Sequence, residues 1–359
     1  MLCFIHSNYE LLIKKVELRF VRKRGLVVKK VLIGLLVVIV LLAIGGEVFY
    51  LYFQKLNKPC NDSNEGVSVV FEVKPGDTAR KLGETLESQH LIRSAKVFEF
   101  WARYTDKGKD IKTGFFRINS AMEPKEILET FVSGQPATIK VTFPEGLTLD
   151  KCADIALESK ICTYREFMRL TESGGKKYGK IFPDNLEGYF LPDTYTLPWK
   201  CDGEQLVKIA TDRFQELVLP CLDKDSPLSL ADTIILASLI EREAQVPEER
   251  SIIAGVYLNR LRDGMKLECD ATVQYALGEQ KEYLLYKDLE IDSPYNTYKI
   301  TGLPVGPICN PGLASIKAAA HPAKTDYYYY VRNDIKGDGS HVFGRNYSEH
   351  QRNIEQYQR

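Results

Sequence analysis

From Val31 to Phe53 the chain reads VLIGLLVVIVLLAIGGEVFYLYF, with no charge before Ile44 and one, Glu47, near the far end. That length predicts a bilayer-spanning helix, which takes roughly 20 apolar residues. Tyr50 and Tyr52 fall where an aromatic belt lies. Asn57 to Gly66 is polar and reads as a linker. Val67, Val69, Phe71 and Val73 then alternate with other positions and predict a strand, closed by Pro75-Gly76. Asp77 or Thr78 is suited to cap a helix carrying Leu82 and Leu86 on one face, and a second helix follows around Ser94 to Tyr104. The rhythm returns with a strand at Phe115–Ile118 and a helix from near Glu123 to Ser133-Gly134. Ala137 to Phe143 alternates like a strand, Pro144-Glu145-Gly146 turns the chain, and Thr148 caps a helix over Leu149–Glu158.

Helices dominate from there on. One runs from about Glu248 to Arg262, with Ile252, Ile253, Val256 and Leu261 on its apolar side, and ends at Gly264. Tyr327–Arg332 is aromatic and predicts a buried strand. His341–Phe343 is expected to pair with it across a turn holding Asp338-Gly339. The fold class is therefore α+β, after a single N-terminal membrane helix.

Composition changes this picture in one respect. With 359 residues, 44% hydrophobic and 27% charged, most of the chain is expected to fold. The net charge of zero conceals an asymmetry: residues 1–30 hold eight bases against two acids, whereas the rest holds 40 bases against 46 acids. No broad basic surface for nucleic acid follows. Basic residues before the apolar run predict an N-terminus in the cytoplasm and the long C-terminal part outside the inner (cytoplasmic) membrane. A cleaved signal peptide is the alternative, since Ala43-Ile44-Gly45 imitates a small-x-small cleavage site. Seven cysteines follow the run, an odd number, and they are compatible with bridges or with buried free thiols. No CxxC pair occurs and the histidines are scattered, so no metal or other cofactor is implied.

The stretch TIILASLIEREAQ, Thr233 to Gln245, carries the candidate chemistry. A nearly uninterrupted apolar helix ends in Glu241, Arg242 and Glu243. Residues two apart on a helix face nearly opposite ways, so the two glutamates cannot line one cleft. Glu241 shares a face with Ile234, Ala237 and Ser238, which are smaller and leave room for a ligand. Glu243 shares one with Leu236, Leu239 and Ile240. Apolar surroundings are expected to raise the carboxyl pKa, as an acid catalyst near neutral pH requires. Glu187 and Asp193 are candidate second carboxylates or loop holders. Asp270, Thr272, Gln274 and Tyr275, with Tyr295, Asn296, Thr297 and Tyr298, offer donors and aromatic faces suited to N-acetyl sugars, or else fasten loops. His321 is either packed or a proton partner.

Two resemblances add to this reading. The strand, the Val-Lys-Pro-Gly-Asp-Thr turn and the helices after it resemble a LysM-like module, a small glycan-binding fold. FPEGLT, LEGYFLPDTY, ASLIEREA, DATVQYALG, YNTY, TGLPVGPICNPG and AAAHPA stand in the order of the YceG-like family of endolytic murein transglycosylases, over roughly Val67 to the C-terminus. Phe190-Leu191, Cys269 and Cys309 depart from its pattern. The resemblance implies lytic cleavage of the MurNAc–GlcNAc β-1,4 bond inside glycan strands. It makes Glu241 the acid and then the base; the residues themselves offer Glu187, Tyr189, Asp193, Ser238, Asp270, Thr272, Gln274, Tyr275, Asn296, Tyr298 and His321 as candidates to hold the substrate. It also implies partners among peptidoglycan polymerases and elongation or division proteins. A muramidase-type hydrolase and a non-catalytic glycan-binding scaffold are the alternatives. The expected organisation is a basic segment at 1–30, the membrane helix at 31–53, a linker at 54–66, the LysM-like module at 67–105, a connecting subdomain at 106–145 and the catalytic domain at 146–359.

Overall fold

The computed structural model describes residues 30, 32–61, 66–222, 228–281 and 283–358. The expected basic segment, apart from Lys30, lies outside the described residues. The chain divides into two compact units, residues 1–137 and 138–359.

In the first unit, helix α1 (Leu32–Asn57) has 26 residues and a mean hydropathy of 2.7 in its most apolar window, none of it buried. It is long and apolar enough to cross a membrane, as an anchor or a signal sequence does. It runs past the expected end at Phe53 because its last turn has partners. Phe53 meets Phe100 edge-on at 5.1 Å between ring centres. Asn57 accepts from Trp101 Nε1 at 2.6 Å and donates to Glu123 at 3.2 Å. Strand β1 (Ser68–Val73) pairs antiparallel with β2 (Gly114–Asn119), Phe71 opposite Phe116. Between them lie α2 (Ala79–Ser88), capped by the Thr78 side chain, and α3 (Ala95–Tyr104). Helix α4 (Pro124–Ser133) follows, opened by a capping box at Glu123 and closed by left-handed Gly134. Phe71, Leu82, Leu86, Phe98, Phe116 and Phe131 form one core, so the segments expected as 67–105 and 106–145 share it as far as Ala137.

The second unit opens with β3 (Thr138–Phe143), paired antiparallel with β4 (Asp193–Pro198). Helices α5 (Leu149–Glu158), capped by Thr148, and α6 (Tyr164–Glu172) lie between these strands. Then come α7 (Gly203–Val218), α8 (Leu230–Glu243), α9 (Arg250–Arg262), α10 (Asp270–Leu277) and α11 (Leu313–Ala320). Strands β5 (Tyr329–Arg332) and β6 (His341–Gly344) form a hairpin covered by α12 (Tyr347–Tyr357). Val331 faces Val342, so the expected pairing is present. The strand starts two residues later than its sequence predicts, and Val331 alone in it is fully buried, because this two-stranded sheet lies at the margin of the unit. Helix α8 is the centre: Thr233 to Ile240 are all buried, against α9, α10 and α11. Burying a leucine or isoleucine contributes roughly 1.5–3 kcal/mol, so this helix is fixed mainly by packing.

Candidate active site

Helix α8 begins with Ser229 accepting from the Asp232 N–H and reaches the surface at Glu241. Its two terminal glutamates diverge, as the helical spacing requires. Glu241 is half-buried, and its Oε2 accepts the backbone N–H of Gly312 at 3.0 Å. Gly312 is the cap residue of α11, so the carboxylate sits at a helix N-terminus, where free N–H groups and the helix dipole favour an anion. Gly146 approaches from the other side: a methyl group built on it would lie 3.6 Å from Glu241 Cγ. A methyl on Gly312 would collide with the Glu145 carboxyl, so Glu145 reaches the same spot. Partial burial, and then the charge of Glu241, push the Glu145 carboxyl up, while Arg250 opposes them. The apolar wall expected around Glu241 is therefore replaced by a backbone donor and a second carboxyl. Ile234, Ala237 and Ser238 on its face are completely buried and leave no room for a sugar.

Glu243 turns inward. It accepts from Cys269 Sγ at 3.2 Å and from the Tyr330 hydroxyl at 3.0 Å, and Tyr330 lies 2.8 Å from the Tyr257 hydroxyl. Burial raises its pKa, with these two donors opposing.

One side chain joins the loops. Asn310 Oδ1 accepts from Gly188 N at 2.9 Å and Phe190 N at 3.1 Å. Its Nδ2 donates to Leu147 O and to Glu187 Oε1, both at 3.0 Å. Its backbone carbonyl takes the Gly146 N–H at 2.9 Å. All four capacities of one buried amide are thus used to pin residues 146–147, 187–190 and 310 together.

Beside this clamp lies a cavity of about 510 Å³, lined among others by Gly146, Asp150, Glu187, Arg242, Gln274 and Tyr275. Glu241 does not line it; Gly146 borders both the cavity and Glu241. Glu187 is 7% exposed, and burial pushes its pKa up to about 8 despite the N–H of Leu149. Its oxygens are committed to Leu149 N and Asn310, which makes it a fastener of the cavity wall.

The remaining expected site residues separate into groups. Gln274 and Tyr275 line the cavity with Glu187, and Tyr275 lies against Tyr295 at 4.8 Å. Ser238, Thr272 and Asn296 are completely buried and do not face it. Ser238 accepts the Ile308 N–H at 3.1 Å, Thr272 meets Thr297 at 2.9 Å, and Asn296 donates to the carbonyls of Leu289 and Ile291, each at 2.8 Å. These three close loops, because a buried hydroxyl or amide must find partners inside the protein. Tyr189 is 4% exposed among Phe182 and Phe214. Asp193 pairs with Arg213, Tyr298 donates to Asp270 at 2.6 Å, and exposed His321 meets the Cys221 carbonyl. The cysteines from Cys60 to Cys309 are free thiols, and no cluster of metal-binding side chains occurs among the described residues. Sequence reasoning missed Asn310, Glu145 and Arg242 as site residues, although all three lie inside or beside the segments it singled out.

Glu241, at the end of a packed helix, held by a backbone donor and with the Glu145 carboxyl beside it, is the candidate acid–base group, and Gly146 separates it from the cavity. The family model of the YceG-like family matches residues 71–356, and the chain belongs to this family. A Bacillus subtilis protein named endolytic murein transglycosylase is 35% identical over 339 residues, covering 88% of this chain and 91% of its own length. A Streptococcus pneumoniae protein of the same name is 28% identical, with 92% of this chain and 65% of the relative matched. A crystal structure of a yceG-like protein from Listeria monocytogenes has 32% identity and a TM-score of 0.54, covering 79% of this chain and 98% of that one.

Proposed function

We propose that this protein is an endolytic lytic transglycosylase of peptidoglycan, held in the membrane by α1 with its second unit outside. Glu241 protonates the glycosidic oxygen as the MurNAc C1–O bond breaks, and the 2-acetamido group supports the cationic carbon. The MurNAc 6-hydroxyl then attacks C1, and its proton returns to Glu241. One carboxyl serves both steps, so the paired carboxylates of a hydrolase at a set separation are not needed. The strand passes the Gly146 border, with one sugar against Gln274 and Tyr275 in the cavity. The β1-α2-α3-β2 order supports glycan binding by a LysM-like module in the first unit.

The observation that carries this reading is the placement of Glu241 on the Gly312 N–H, inside residues 71–356 that the family model matches. The test is mass spectrometry of products from purified glycan strands. 1,6-Anhydro-MurNAc ends are expected, and they should vanish in Glu241→Gln. Reducing ends in their place would make the protein a muramidase-type hydrolase, and an absence of any cut by the parent would leave a glycan-binding scaffold.

A further inference from the structure

We propose that the exposed aromatic face of α3 lies in the outer surface of the lipid bilayer, so that the first unit rests against the membrane and does not hang from it on a loose linker. This rests on the reading of α1 as a membrane anchor. The first observation is a row of four rings that leaves the apolar helix and continues along α3. Phe49 stacks on Phe53 at 6.5 Å between ring centres, Phe53 meets Phe100 edge-on at 5.1 Å, and Phe100 stacks on Tyr104 at 5.5 Å. Phe100 is 44% exposed and Tyr104 73% exposed, whereas Val97, Phe98 and Ala102 of the same helix are buried. Helix α3 thus fills its own core from one side and presents large rings away from it on the other.

The second observation fixes the height of those rings. From Leu32 to Phe53 a helix rises about 32 Å, against a hydrocarbon core of about 30 Å. Phe53 therefore falls where acyl chains give way to headgroups, the level at which aromatic side chains collect. Phe100 touches Phe53 and so stands at that level too. The third observation is that the joint is closed. Asn57 accepts from Trp101 Nε1 at 2.6 Å and donates to Glu123, Arg93 donates to the Pro59 carbonyl at 2.7 Å, and the Asn61 N–H donates to the Ser120 carbonyl at 3.1 Å. The first unit cannot turn its rings away from the membrane without breaking these bonds. Bases accompany the rings: Lys55 and Lys58 follow Phe53, and Lys125 lies over the Trp101 ring at 5.4 Å. Their ammonium groups can reach lipid phosphates while the rings stay among the acyl ends. Lipid is the partner that fits, because a spanning α1 already has bilayer around Phe53, and a sugar strand or second protein would have to displace it. Trp101, whose N–H could otherwise serve a sugar hydroxyl, has spent that donor on Asn57.

The experiment places the full chain in vesicles of phosphatidylethanolamine and phosphatidylglycerol that carry a photoactivatable group near the headgroup end of the acyl chain. Lipid adducts are then mapped by mass spectrometry after proteolysis. They are expected on α1 and on residues 97–107, which include Phe100 and Tyr104. In the double variant Phe100→Ser, Tyr104→Ser the adducts on 97–107 should be lost and those on α1 kept. Both side chains are exposed, so its melting profile should match the parent's, and the parent's map decides by itself if the variant does not fold. Adducts on α1 alone overturn the proposal and leave the anchor in place, as do adducts on 97–107 that persist in a folded double variant. Adducts on 97–107 that disappear when purified glycan strands are added give the face to sugar and overturn it as well. An absence of adducts on α1 would instead overturn the anchor reading on which the proposal rests, so the two failures are distinct.

Discussion

Glu241 and Glu243 sit two residues apart on one helix and live in opposite regions. Around Glu241 lie exposed edges, a backbone N–H and another carboxyl. Around Glu243 lie a thiol and two phenols, one of them bonded to it, in a closed space that ties α8 to α9, α10 and the C-terminal hairpin. The same side chain is left half-exposed on a backbone N–H in the first region and is spent as a polar rivet in the second. The difference shows that helical phase, not residue type, assigns the work. The apolar body of α8 fixes that phase, because eight consecutive buried residues cannot rotate without exposing a core.

The sharpest way to break the contrast is to exchange the two roles by substitution. Glu241→Gln should cut glycan strands at least about 10²-fold more slowly, with a melting temperature within about 2 °C of the parent, since a half-exposed carboxyl contributes little to stability. Glu243→Ala should do the reverse. It removes the acceptor of the Cys269 thiol, leaves the Tyr330 hydroxyl with Tyr257 alone and opens a small void, at a cost of about 2–3 kcal/mol. Calorimetry should read that as roughly 5–10 °C for a unit of this size. An equal loss of activity at unchanged stability would erase the distinction between the two regions.

Asn310→Ala tests whether the clamp belongs to the first region or the second. It should cost about 2–3 kcal/mol, because the N–H groups of Gly188 and Phe190 lose their acceptor, and it should also slow cutting by loosening Gly146 beside Glu241. Stability lost without any change in rate would confine Asn310 to the scaffold. The smallest effect concerns Glu187. Its folded pKa, pushed up to about 8, lies above the ordinary carboxylate value, so the unfolded chain ionises first. Stability from this group is therefore complete below about pH 4 and falls as pH rises towards about 8. Glu187→Gln should flatten the dependence of melting temperature on pH in that window, and an unchanged slope would show that the carboxyl is not neutral when folded.

Much of the local structure was legible in the sequence. Thr78 and Thr148 each cap the helix expected of them, α5 has the predicted ends, and the Val331–Val342 pairing follows from the aromatic strand and its Asp-Gly turn. These features depend on neighbours within a few residues. The divergence of Glu241 and Glu243 was legible for the same reason. What fills the space opposite each glutamate was not. The small face of Ile234, Ala237 and Ser238 looked open because the segment that covers it, around Ile308 and Cys309, comes 70 residues later. Asn310 reaches Gly188 across 122 residues, and no periodicity in either segment announces the contact. Hydrophobic pattern reports which face is buried; it does not report by what.

The Asn310 clamp also bears on the order in which a growing chain acquires activity. Its first loop is at residue 146 and its last at residue 310, and the donor to Glu241 follows at Gly312. No N-terminal fragment ending before Gly312 contains the assembled centre, however well its earlier helices fold. A chain interrupted before Gly312 during synthesis, or nicked and stripped of the residues from Gly312 on, would be inert and not half-active. For an enzyme directed at the wall that contains the cell's own pressure, incompleteness would then be harmless.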